Sequence, residues 1–300
     1  MDCLHPVTIS IPVAYGQDDI RNEKCSVPCG KCAACIVSFA NEWRVRLQIE
    51  KEHCDNCYFV TLTYSDDTLP IDVFTDSFGA KHIIPYVCKR DCQNFFKRLR
   101  KRFENSKIRY YLVSEYGPTT LRPHYHFILF NLPLSSASSL QREIEATKII
   151  QECWNNGSIT LDEVTDARIS YVTKYLSCVT DLPEWYPKPF RLMSKRPGIG
   201  SSYLDKRNLI DWHRVNLACY YPQGNKKLRL PRYLKDKIFD DEMKLNIREN
   251  LSLYRQQKTS DDISLSTQLG YDNYVDYRHS TMDSFLRKFD KRLKKSRKDI

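Results

Sequence analysis

The chain of 300 residues carries 47 Lys and Arg against 37 Asp and Glu, a net charge of +10, with 41% hydrophobic residues. This is ample for a sizeable core and suits two domains, and no apolar run approaches the ~20 residues that a membrane-spanning helix needs. The excess of positive charge favours a polyanionic partner, nucleic acid or an anionic surface, without choosing between them. Twelve cysteines in 300 residues fall short of a disulfide scaffold, and several are bunched at metal-ligand spacing. The start, Met-Asp-Cys-Leu-His-Pro, lacks the basic-then-apolar pattern of a signal peptide, so the chain is expected to stay in the reducing cytosol where it is made.

Residues 1–35 are poor in periodicity and rich in cysteine. Cys25, Cys29, Cys32 and Cys35 form a C-x3-C-x2-C-x2-C series, Gly30 supplies a turn that lets thiolates converge, and Cys3 is a further candidate. Zinc takes four such ligands tetrahedrally, and a segment without a core gains folding energy from it; the alternative is a set of reduced, buried cysteines. Residues 36–51 read as a helix, with Trp43, Leu47 and Glu50 at helical spacing. Cys54 and Cys57 make another C-x2-C, but Cys57 opens a strand over 58–64 and is read as packing there, a second metal site being the alternative. Residues 65–70 are a polar turn cluster, 71–80 a loop and 82–86 a short strand.

Residues 89–104 predict a strong helix with Cys92, Phe95, Phe96, Leu99 and Phe103 on one face. The other face carries Lys97, Arg98, Arg100, Lys101 and Arg102, either a solvated face or a cationic helix that holds DNA backbone. Two β-type runs follow, 108–114 and 124–130, around a loop with Gly117 and Pro118. His124 and His126 lie two apart on the second run, so their imidazoles point the same way. Glu115 closes the first run and can lie beside them. Two neutral imidazoles and a carboxylate make a compact site for a divalent cation with positions left open; the plainer alternative is one face of a solvated strand.

A linker over 133–139 leads into a helix at 140–154, and Asn156-Gly157 turns into a strand at 158–161. A helix over 166–178 places Tyr171 and Tyr175 on one face at i, i+4, with Lys174 adjacent. Core packing explains such tyrosines equally well. After residue 180 the chain becomes rich in Pro and Gly, and 194–200 combines Lys195 and Arg196 with two glycines that let backbone approach a ligand, or form an ordinary basic loop. No Gly-Lys-Ser/Thr follows at P-loop spacing. From residue 231 the chain reads as helices and polar linkers. It ends in 286–300, where eight basic residues stand against two aspartates, +6 of the +10.

At these residues the chain resembles a known family. His124-Tyr125-His126 matches the HUH motif of metal-dependent DNA-nicking endonucleases, Tyr171-x-x-Lys174-Tyr175 their tyrosine motif, and Phe59-Val-Thr-Leu-Thr63 their first strand motif. More narrowly, Val27-Pro-Cys-Gly-Lys-Cys-Ala-Ala-Cys35, Arg122-Pro-His-Tyr-His126 and Ser194-Lys-Arg-Pro-Gly-Ile-Gly200 are similar to the replication initiators of small single-stranded DNA phages, the gokushovirus branch of the microviruses. The resemblance implies an α+β fold, a central antiparallel sheet with helices alongside; the order of elements by itself suggests helices on one side.

It divides the chain into a Cys-rich segment with its helix (1–56), an endonuclease core (57–180) and a C-terminal extension with a basic tail (181–300). It implies structural zinc on Cys3, Cys29, Cys32 and Cys35, leaving Cys25 over, and Mg²⁺ or Mn²⁺ on His124, His126 and Glu115, an Asp or Gln elsewhere being the alternative third ligand. Tyr171 would attack first, Tyr175 at the close of a round, with Lys174 neutralising charge. Arg98, Lys101, Arg122, Lys195 and Arg196 would contact DNA. The implied partners are viral single-stranded or origin DNA and the host replication helicase and polymerase, in the cytoplasm of a bacterial host and with no membrane. The alternatives are a zinc-stabilised DNA-binding protein without catalysis, a relaxase or an HUH transposase.

Overall fold

The computed structural model describes residues 3–14, 20–104, 106–136, 138–174, 182–224 and 226–298. Its contacts group the chain otherwise than the three consecutive segments expected. One compact unit comprises Met1–Asn41, Arg214–Ala218 and Phe239–Ile300, the other Glu42–His213 and Cys219–Ile238.

The first unit begins with an antiparallel hairpin of β1 (Val7–Ala14) and β2 (Ile20–Val27), Val7 opposite Val27. The hairpin stands where no periodicity was expected, although Val7, Ile9, Ile11 and Val13 do alternate; Pro12, tolerated on a two-stranded edge, hides the pattern. Helix α1 (Ala33–Glu52) follows, its residues up to Asn41 in this unit.

The second unit is built on one five-stranded sheet. In chain order come β3 (Cys57–Thr63), the hairpin β4 (Ile71–Thr75) and β5 (Lys81–Pro85), α2 (Lys89–Arg102), β6 (Arg109–Tyr116) and β7 (Pro123–Phe130). Then follow α3 (Ser139–Cys153), β8 (Ile159–Glu163), α4 (Asp166–Lys174), β9 (Arg191–Met193), α5 (Arg207–Asn216), the hairpin β10 (Tyr220–Gln223) and β11 (Lys226–Arg229), and α6 (Arg232–Ile238). The sheet order is β8-β3-β7-β6-β9, antiparallel throughout. Hairpin β4–β5 occupies part of the stretch read as a loop; its turn closes through Asp76 Oδ1, which accepts from the N–H groups of Phe78 and Ala80.

Helices cover both faces of this sheet, not one. On one face Val60, Leu62, Leu112, Tyr125, Phe127 and Leu129 pack with Phe95, Phe96 and Leu99 of α2 and Ile149 and Ile150 of α3. On the other, Phe59, Tyr111, Val113, Ile128 and Phe130 pack with Trp43 and Leu47 of α1 and Ile169 and Val172 of α4. The reason lies in β7, the middle strand. Its second half, Phe127-Ile-Leu-Phe130, is fully buried in consecutive residues, as a strand covered on both faces must be. Cys54 and Cys57 pack against the second cluster.

In sequence the first unit resumes with α7 (Asp241–Gln268) and α8 (Tyr274–Lys298), two long helices that pack on each other. The Asp240 carboxylate caps α7 by accepting from Met243 N–H. No helix among the described residues is long and apolar enough to cross a membrane.

Candidate active site

The register of the three middle strands assembles the site. Glu115 on β6 and Thr63 on β3 flank His124; Val113 and Thr61 flank His126. With a side-chain period of two, His124, His126, Glu115 and Thr61 share one face of the sheet, the face covered by α1 and α4. The two imidazoles lie parallel, their planes 2° apart and ring centroids 6.4 Å apart.

Each ring is held by its Nδ1. His124 Nδ1 lies 2.7 Å from the Arg122 carbonyl, and His126 Nδ1 lies 3.0 Å from Thr61 Oγ1. Partners of this kind turn the Nε2 atoms toward the site and set ring orientation, as at metal centres. Burial, and the neighbouring His126, hold the His124 pKa below the ordinary value, against the effect of the Arg122 carbonyl. His124 is therefore a neutral imidazole with a lone pair to give.

Helix α4 delivers the tyrosine. Thr165 Oγ1 accepts from Arg168 N–H and sets the helix start. One and a half turns on, Tyr171 donates its hydroxyl hydrogen to Glu115 Oε2 at 3.0 Å and lies 3.5 Å from His126 Nε2. Its ring stands perpendicular to that of His126 and edge-on to Phe59. Lys174 is the last described residue of α4 and is half-buried; Tyr175 lies outside the described residues.

The donor set suits a divalent cation. His126 Nε2 and Glu115 Oε2 are 3.1 Å apart, near the ~3 Å that separates adjacent ligands about 2.1 Å from an octahedral ion. His124 lies farther off: the ligand atoms of the trio are not all within the 4.8 Å that the cysteine group described below meets.

That group is Cys3, Cys29, Cys32 and Cys35, in the first unit, the four named from the sequence. Cys3 and Cys32 Sγ are 3.8 Å apart, the spacing of roughly 3.8 Å that tetrahedral Zn–S bonds of 2.3 Å impose. Gly30 adopts φ +75° inside the loop, and backbone N–H groups aim at sulfur: Cys29 at Cys3, Lys31 and Cys32 at Cys29, Leu4 at Cys32. The Lys31 N–H, chief among these, lowers the Cys29 pKa. Burial opposes ionisation of Cys32, yet N–H donors of Cys35 and Leu4 bring it down to about 6. Burial pushes Cys35 up to about 12. The cluster could hold a metal ion such as zinc. Cys25 is outside it, and among the described residues Cys54 and Cys57 form no such group.

The residues expected on DNA scatter. Helix α2 covers the sheet face opposite to His124 and His126, so it does not bring Arg98 and Lys101 beside the site. Arg98 Nε donates to the Cys153 carbonyl, tying α2 to the end of α3; Lys101 is exposed. Arg122 braces the β6–β7 loop, donating to the Tyr64 carbonyl at 2.6 Å and to Asp66 at 2.7 Å. Lys195 and Arg196 are exposed.

The glycines beside Lys195 and Arg196 answer to protein, not to a ligand. A Cβ on Gly198 would meet the Tyr233 ring at 2.8 Å, and one on Gly200 the Arg46 backbone at 3.0 Å. Loop backbone is bound by Arg46 Nε to the Ile199 carbonyl, by Arg109 to the Gly198 carbonyl and by Gly200 N–H to Glu50. Glu50 and Arg109 are themselves ion-paired. Sequence reasoning missed Thr61, although its place in Phe59–Thr63 and the cross-strand register would have found it.

Residues 57–179 match the family described as replication-associated protein ORF2. The chain is 27% identical to the replication-associated protein ORF2 of Spiroplasma virus 4, over 91% of this chain and 87% of that protein. It is 26% identical to the replication-associated protein VP4 of Bdellovibrio phage phiMH2K, over 94% and 91%. To the replication-associated protein ORF4 of Chlamydia phage 1 it is 26% identical, over 54% and 40%. No solved structure matches it. With 57–179 as the matching core, the chain belongs to this family of replication-associated proteins, alongside those of microvirus-type single-stranded DNA phages.

Proposed function

We propose that this protein initiates phage DNA replication by nicking single-stranded or origin DNA with Tyr171 as nucleophile. What carries the reading is the Tyr171 hydroxyl, 3.0 Å from Glu115 and 3.5 Å from His126 on the sheet face that holds both imidazoles. The relatives, named as replication-associated proteins of phages, support the role in replication.

A free phenol, with its pKa of about 10, is a poor nucleophile. Glu115 stands within hydrogen-bond reach and takes its proton as the oxygen attacks phosphorus. The bond formed joins the Tyr171 oxygen to phosphorus; the bond broken is that to the 3′-oxygen, which leaves with the electron pair and gains a proton. Mg²⁺ or Mn²⁺ bound by His124, His126 and Glu115 supplies Lewis-acid polarisation of the scissile phosphate. Lys174 offsets the charge that develops. The 5′-phosphotyrosine conserves the phosphodiester for rejoining, which attack by water would not. Tyr175 serves as the second nucleophile when the displaced strand is closed into a circle. The free 3′-hydroxyl is the primer that a host polymerase extends behind a host helicase, in the bacterial cytoplasm, while zinc on the four cysteines is structural.

The test is capture of a covalent protein–DNA adduct on a denaturing gel, with Mn²⁺ and a labelled origin oligonucleotide, followed by peptide mapping. The nucleotide is expected on Tyr171. Found on Tyr175 alone, it reverses the order of attack; binding without any adduct means a DNA-binding protein that does not cut.

A further inference from the structure

The two histidines differ in what holds Nδ1. For His124 the partner is a carbonyl, which only accepts, so the hydrogen sits on Nδ1 and the lone pair on Nε2. For His126 the partner is the Thr61 hydroxyl, which both donates and accepts. Across that ring, Nε2 lies 3.1 Å from Glu115 Oε2. A carboxylate oxygen only accepts, so a neutral His126 carries its hydrogen on Nε2 here, and Nδ1 accepts from Thr61. A cation ligand needs the reverse, a lone pair on Nε2 and the hydrogen on Nδ1. A hydroxyl meets both needs by rotating about its own C–O bond, without displacing the ring.

We propose that Thr61 is the positioning residue of the cation site, its hydroxyl holding the His126 ring in place in both tautomers while the Arg122 carbonyl locks His124 in one. The inference rests on the reading of these histidines as cation ligands. The exchange is balanced: His126 loses one proton from Nε2 and gains one at Nδ1 through solvent, and its net charge is unchanged. The side chain of His126 is 13% exposed, so a valine at 61 leaves Nδ1–H without an acceptor and water with little access to replace it. The ring then resists the ligand tautomer.

The experiment uses the full chain at pH 8: ¹⁵N NMR of the imidazoles, metal-free and with Mg²⁺, beside Mn²⁺ binding followed by electron paramagnetic resonance. Without metal, His124 is expected with its hydrogen on Nδ1 and His126 on Nε2; Mg²⁺ should move the hydrogen of His126 alone. Thr61→Val should bind Mn²⁺ about 10–100-fold more weakly, and Thr61→Ser, which keeps the hydroxyl, should restore binding. Should the valine variant not fold, Thr61→Ala takes its place with the same expectation. Wild-type affinity without the hydroxyl, or Nδ1–H on His126 before metal is added, overturns the proposal. A wild-type protein that binds no Mn²⁺ overturns the cation reading first, and this inference with it.

Discussion

The two metal-ligand groups of this molecule, four thiols in one unit and two imidazoles with a carboxylate in the other, are built in opposite ways. Three of the thiols come from seven consecutive residues, and the fourth needs only the chain's near end. Their Sγ atoms already stand within 4.8 Å of one another, with backbone N–H groups turned toward sulfur. Four soft ligands close a coordination shell, which leaves nothing for a substrate. The His124, His126 and Glu115 group draws on two strands and is oriented by a third and by a helix. It offers three harder ligands, leaves positions open, and has a phenol beside it. A closed shell holds a fold; an open one does chemistry.

The widest test of that contrast is at Tyr171. Phenylalanine keeps the ring packed on Phe59 but removes the attacking oxygen, so adduct formation should fall by about 10³-fold or more, with melting altered by no more than about 1 kcal/mol. Normal cleavage by this variant returns Tyr171 to core packing.

Next in size is the closed shell. Elemental analysis should find about one zinc per chain. Cys32→Ser should lose it and open the N-terminal hairpin to protease, whereas Cys25→Ser should keep it. Stability unaffected by chelation would remove the structural role.

The open shell should respond instead to pH. His124 has its folded pKa below the ordinary value of 6.5, so the folded state resists protonation there. Both the stability contributed by the neutral ring and the Mn²⁺ affinity should hold above pH 6.5 and decline as pH falls through the folded pKa. Mn²⁺ titrations between pH 5 and 8 should show this. His124→Ala together with His126→Ala should abolish Mn²⁺ binding and leave the zinc in place; loss of zinc as well would mean that the sites are not separate.

The smallest effects concern DNA backbone. Deleting 286–300 removes a net +6, and DNA affinity should fall with a flatter salt dependence while cleavage at saturating DNA survives. Replacing Lys195 and Arg196 by alanine should flatten the slope by about 1.4 if both touch single-strand phosphates. Lys101→Ala, on the sheet face away from the histidines, should leave it unchanged. A larger change for Lys101 than for Lys195 and Arg196 would place the strand on the wrong side of the sheet.

By itself the sequence determined whatever depends on short-range periodicity or on ligand spacing. A period of two put His124 and His126 on one face, helical spacing put the apolar stripe on α2, and three cysteines within seven residues marked the zinc-type cluster. It also held two signs that were passed over, the alternation in β1 and the doubly apolar half of β7. Tertiary structure decided what depends on partners distant in the chain. Strand β9 is three residues long and exists only because β6 offers its edge. Helix α2, cationic enough to suggest DNA, was placed across the sheet from the histidines by Phe95, Phe96 and Leu99, since burying that stripe leaves one side to pack on. Arg122 was turned from a free cation into a brace, and Thr61 from one strand residue among several into the partner of His126, because register alone sets which side chains meet across a sheet.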